Sequence, residues 1–119
     1  MSMQDVETMN FEVNGTAYVA AISACDGECA TVKSAISKAG EEIMKIKFKI
    51  SRDLKQKWQV EPEEAQKFLL AYAKPYTKVR TAREGLVGEE EYVFDLDFAS
   101  VKPETLVEKV TGEWQAITG

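Results

Sequence analysis

Histidine is absent from this chain, and cysteine occurs only twice, as Cys25 and Cys29. A zinc site built from thiolates and imidazoles needs about four ligands, and these two thiols cannot complete one. The absence of histidine also removes the commonest general base near neutral pH. Two thiols four positions apart are read as free groups in a loop or at a strand end. No apolar run approaches the ~18 to 20 residues that span a bilayer. The first residues, MSMQDVETMNF, have neither a basic start nor an apolar stretch, so no signal peptide is expected and the expected location is the cytoplasm. There is no Gly-rich phosphate loop either. Gly85 and Gly88 are the nearest candidates, and the acids that follow them would repel phosphate. Asp95 and Asp97 share one face of an alternating segment, but two carboxylates alone make a weak cation site. The acids otherwise fall in runs such as Glu89-Glu90-Glu91. The expectation is a binding protein rather than an enzyme, with no cofactor and no metal.

What is present fits one globular domain. The chain has 119 residues, 45% hydrophobic and 29% charged, enough for one core without staples. The formal net charge is −5, which alone argues against nucleic acid. Its distribution is lopsided. From Lys33 to Arg83 thirteen Lys or Arg face six acids, net +7, and outside that window two Lys face fourteen acids, net −12. Such asymmetry within one domain points to a basic face on an acidic remainder.

Periodicity places that charge. Residues 1–10 are polar and expected to be a flexible N-terminus, with a single domain over 11–119. From Phe11 the chain reads as strand, and Asn14-Gly15 marks either a hairpin or a bulge. Residues 25–42 read as a connection with a helical turn near 30–38. In IMKIKFKI (43–50), Ile46, Phe48 and Ile50 alternate with Lys45, Lys47 and Lys49. Period two puts the apolar set on one face and the ammonium groups on the other. LKQKWQV (54–60) is read as a second alternating strand, with Arg52 in the turn and Lys55, Lys57 and Trp58 beside the first three lysines. Pro62 opens a helix that Lys74-Pro75 is expected to end. Residues 75–90 then read as a loop carrying Tyr76, Lys78, Arg80 and Arg83. EYVFDLDF (91–98) reads as strand, Pro103 to Val110 as a short helix, and GEWQAIT as a last strand.

This order predicts a mainly β fold: a small five-stranded, closed or partly closed barrel of the oligonucleotide-binding (OB) type, with one helix between strands three and four and a short helix before the last strand, a β-sandwich being the alternative the element order leaves open. Single-strand binders combine a positive groove with aromatic platforms on which bases stack. The candidate nucleic-acid-binding residues are therefore Lys45, Lys47, Lys49, Arg52, Lys55, Lys57, Trp58, Tyr76, Lys78, Arg80 and Arg83.

The stretch SAISKAGEEIMKIKFKI (34–50) resembles a segment of phage single-stranded-DNA-binding proteins with the OB fold. In that family a Ser-Lys-x-Gly turn, here Ser37 to Gly40, leads into an apolar-basic second strand. Gly15, Tyr18 and Ile22 match its usual first strand, PEEAQKFLLAYAKP its helix, and LVEKV (106–110) a late element. The resemblance spans about 15–115 and rests on short motifs. It implies a sequence-nonspecific protein of phage DNA replication or recombination. Such a protein coats single strands beside a recombinase, in the host cytoplasm. The family often ends in an acidic tail, whereas this chain ends in GEWQAITG. The alternative reading is a protein-interaction module, such as a phage inhibitor or assembly factor, whose basic face meets an acidic partner. The aromatic-rich C-terminal third further suggests a homo-oligomer, a dimer or a tetramer, and there is no expectation of a membrane.

Overall fold

Two tight turns organise the first half of the chain. Asn14 and Gly15 both take positive φ, 51° and 81°, the pair that a two-residue hairpin of the favoured twist requires. They join β1 (Val6–Val13) to β2 (Thr16–Cys25), so this dipeptide makes a hairpin rather than a bulge. Ala39 and Gly40, at φ 55° and 80°, do the same between β3 (Thr31–Lys38) and β4 (Glu41–Ile50). The structure, a computed structural model, describes residues 6–25, 31–83 and 88–118. Residues 6–10, expected to be frayed, are paired with β2 from Val6 onward.

β3 replaces the connection and helical turn expected at 30–38. Its buried residues Val32, Ser34 and Ile36 alternate with Lys33, Ala35 and Ser37. The small residues on both faces hide the period-two signal that larger ones would make obvious.

The basic segment after β4 is helical, not a strand. Ser51 caps α1 (Arg52–Trp58), its Oγ accepting the Leu54 N–H at 3.1 Å, and Gln59 closes the helix at φ 57°. Leu54 and Trp58 are four apart, a spacing common to a strand face and a helix face, and the Ser cap decides between them. α2 (Pro62–Thr81) continues through Pro75 instead of stopping there. An internal proline costs about 3 kcal/mol. Beyond it Tyr76 and Val79 are buried, and burying large apolar side chains returns about 1.5–3 kcal/mol each, while the buried Thr77 and Thr81 hydroxyls are hydrogen-bonded. The expected loop at 75–90 is thus helix to Thr81 and strand from Gly88.

β5 (Gly88–Phe94) pairs with β4 in parallel, the crossover being α1 and α2. A 3-10 turn at Leu96–Phe98 follows, where strand was expected. α3 (Pro103–Thr118) runs through Gly112 and replaces the expected last strand. Leu106, Val110 and Trp114 lie four apart along it. Trp114 meets Phe11 edge-on at 6.4 Å, a contact that holds the second half of the helix.

Strand order is β1-β2-β3-β4-β5, antiparallel except for the last pair. β1 and β5 lie at opposite edges, so the sheet is open rather than the closed or partly closed barrel expected. The long helix follows the fourth strand, not the third. α2 covers one face of the sheet and α3 packs on α2. The core lies between Ile22, Ile36, Ile46 and Phe48 of the sheet and Leu69 and Tyr72 of α2. Among the described residues no helix is long and apolar enough to cross a membrane.

Candidate nucleic-acid interface

Among the described residues, no helix covers the sheet's other face. Because Met44, Ile46, Phe48 and Ile50 are buried beneath α2, period two turns Lys45, Lys47 and Lys49 outward, as the alternation predicts. β3 adds Lys33, directly opposite Lys47 across the strand pair, and Ala35 opposite Lys45. β2 adds Ser23 beside Lys33 and Ala21 beside Ala35. The alanines and serine are short, so the face sinks between its lysines into a trough of about 680 Å³. On the far side β5 contributes Glu89 beside Lys45 and Glu91 beside Lys47.

The electrostatics of this face are uneven. Lys49 Nζ lies 3.4 Å from Glu91 Oε2, and Lys45 Nζ lies 3.6 Å from Glu42 Oε2. Both pairs are solvent-exposed and therefore weak, of order 0.2–1 kcal/mol. Lys33 and Lys47 make no ion pair with any described residue, yet they face one another. Like charges directly opposite on neighbouring strands are destabilising.

The other candidate residues lie elsewhere. Arg52, Lys55 and Lys57 ride on α1, beyond the end of β4. Trp58 is half-buried, donates its indole N–H to the Val101 carbonyl at 2.9 Å and meets Phe68 edge-on at 5.3 Å. It anchors the segment leading to α3. Tyr76, Lys78, Arg80 and Arg83 belong to α2 or its end, on the opposite side of the sheet from Lys45 and Lys47. The Tyr76 hydroxyl donates to Glu90 at 3.1 Å, and its ring packs against Phe48 and Tyr92. Burial, then the Glu90 carboxylate, pushes the Tyr76 phenol up to about 12. Burial, then a hydrogen bond with Tyr92, raises the Tyr72 phenol further still. Arg80 Nε donates to the same Glu90 at 3.1 Å, Lys78 sits 5.7 Å over the Trp114 ring, and Arg83 is 4.0 Å from Glu113.

Two of the candidate lysines, Lys45 and Lys47, therefore line the trough, Lys49 lies farther along the same face, and the aromatic candidates do not share it. No described residue lining the trough is aromatic. Lys33, Glu89 and Glu91 escaped the sequence reading. For Lys33 the signal was the alternation of Val32, Ser34 and Ile36 around it. Asp95 is occupied as a local cap, accepting the Asp97 N–H at 3.0 Å, and the described residues contain no group of three or more metal-ligating side chains. Cys29 lies outside the described residues, and Cys25 ends β2. Comparison with protein-family models, curated proteins and solved structures finds no match to this chain.

Proposed function

We propose that this chain binds single-stranded DNA without sequence preference, holding phosphates along the lysine face of its sheet, and that its role is binding rather than catalysis. The observation that carries the proposal is the opposed pair Lys33 and Lys47, neither of which forms an ion pair with a described acid. An anion laid between them removes a repulsion that the folded protein otherwise tolerates. Lys45 to Lys49 spans about 13 Å at 3.3 Å per residue, which fits the short end of the ~4 to 16 nucleotides typical of small single-strand binders. With three to four phosphate contacts, log affinity should fall with log salt at a slope of roughly −2 to −3. The resemblance to phage single-strand-binding proteins supports a place in replication or recombination, beside a recombinase. Self-association into a dimer or tetramer would link such short footprints through effective concentration.

One observation favours a second reading. Without an aromatic side chain in the trough, stacking adds nothing there, and an acidic protein segment would satisfy the lysines as well as phosphate does. Titration with labelled oligo-dT, with poly-glutamate as competitor, separates the two. Tight salt-sensitive binding to oligo-dT supports the first. Binding of poly-glutamate alone would replace it with the second.

A further inference from the structure

The trough is cationic on one wall and anionic on the other. β5 runs parallel to β4 with Glu89 beside Lys45 and Glu91 beside Lys47, so these two acids share the open face. Glu90, between them, turns to the helix side, where it accepts from Tyr76 and Arg80. Charge therefore changes in order across the strands. β3 offers Lys33 without an acidic partner among the described residues. β4 offers Lys45 and Lys49, each drawn toward a carboxylate. β5 offers Glu89 and Glu91 to this face, with the exposed Val93 beyond them beside Lys49.

An anionic chain entering the trough is pulled toward β3 and β4 and pushed from β5. It must also displace Glu91 from Lys49 before using that lysine fully. We propose that Glu89 and Glu91 are specificity-determining residues that confine phosphates to the β2–β4 side of the trough. They also act as built-in competitors for Lys45, Lys47 and Lys49, which keeps binding weak enough for rapid release. This inference rests on the reading of the trough as a phosphate-binding face. If the two acids served only to stabilise the sheet edge, neutralising them would leave ligand affinity alone.

The test compares E89Q/E91Q with E63Q/E64Q, in binding of labelled oligo-dT followed by anisotropy. The second variant changes net charge equally but at exposed positions in the first turn of α2. An exposed carboxylate near a lysine is worth about two- to fivefold. E89Q/E91Q should therefore bind about tenfold more tightly than the parent in dilute salt. The gain should vanish near 0.5 M salt, where the Debye length falls to about 4 Å. E63Q/E64Q should match the parent. Equal tightening in both variants would reduce the effect to net charge and overturn the acidic wall. An unresponsive E89Q/E91Q beside a parent that binds would overturn it too, while leaving the trough reading in place. If the parent and both variants all ignore oligo-dT, the trough reading falls and the acidic wall falls with it.

Discussion

Replacing Lys47 by glutamine should stabilise the protein while weakening its binding. Lys33 and Lys47 are direct cross-strand neighbours, with Cβ atoms about 4.5–5.5 Å apart. Their ammonium groups can splay to ~7 Å, where two charges in water repel by about 0.6 kcal/mol. Glu91 stands beside Lys47 on the other side, but its carboxylate is drawn to Lys49 at 3.4 Å, so it offsets only part of this. Lys47→Gln should gain about 0.5 kcal/mol. At about 2.1 cal/mol/K of unfolding entropy per residue, a chain of 119 residues should melt about 2 °C higher. Calorimetry in dilute buffer and in 0.5 M salt reads this, because screening should erase the difference at high salt. The same substitution removes one phosphate contact and should flatten the salt slope of oligo-dT binding by about 0.7. A lower melting temperature for Lys47→Gln in dilute buffer would refute the reasoning. It would mean that Lys47 sits in a net stabilising pair and that the trough carries no uncompensated charge.

Three further outcomes follow from the packing. Phe48 is fully buried against Tyr72, Tyr76 and Tyr92, so Phe48→Ala should cost about 3–5 kcal/mol in urea unfolding; a loss under 1 kcal/mol would contradict the packing described. The Tyr76 phenol, pushed up to about 12, keeps its proton in the folded state where the unfolded chain, at about 10, has lost it. The folded state then binds more protons, so this contribution is complete below pH 10 and is lost as pH rises from 10 to 12. Tyr76→Phe should lessen that alkaline loss of stability, and parallel pH profiles for the two proteins would exclude it. Light scattering after gel filtration should give a mass that is a multiple of 13.3 kDa if linked footprints are used; a monomer at micromolar concentration would remove self-association.

The local signals in the sequence were sound wherever one element decides its own conformation. Asn14-Gly15 made its hairpin, IMKIKFKI buried alternate residues, and Pro62 began a helix, each through chemistry contained in a few neighbouring residues. The misreadings have more than one cause: α1 turns on its local Ser51 cap, β3 is masked by its small residues, and at two places a tertiary contact overrides a local cue. Pro75 and Gly112 are both helix-weakening, and both are carried through by what lies beyond them: Tyr76 and Val79 under the sheet in one case, Trp114 against Phe11 in the other. The aromatic residues of the C-terminal third find cover within the chain. Phe94, for example, is fully buried against Phe68 and Tyr72. The site was half legible. Alternation along β4 exposes Lys45, Lys47 and Lys49, but the pairings that bring Lys33 to one side and Glu89 and Glu91 to the other are long-range and leave no local trace. Tyr76 and Trp58 were misplaced because a helix, not a loop or strand, carries each of them.

The most direct test of the central claim is a salt series of oligo-dT binding by the parent and by the variant K45E/K47E/K49E. Anisotropy of the labelled strand should be read, since Trp58 and Trp114 lie away from the trough and need not respond. All three lysines face away from the core, so the variant should keep the parent's circular dichroism spectrum. The parent should bind with a log–log salt slope of roughly −2 to −3, and the variant should not bind at all. Parent binding that ignores salt, or a folded triple variant that binds as the parent does, would contradict the assignment of this sheet face as the site.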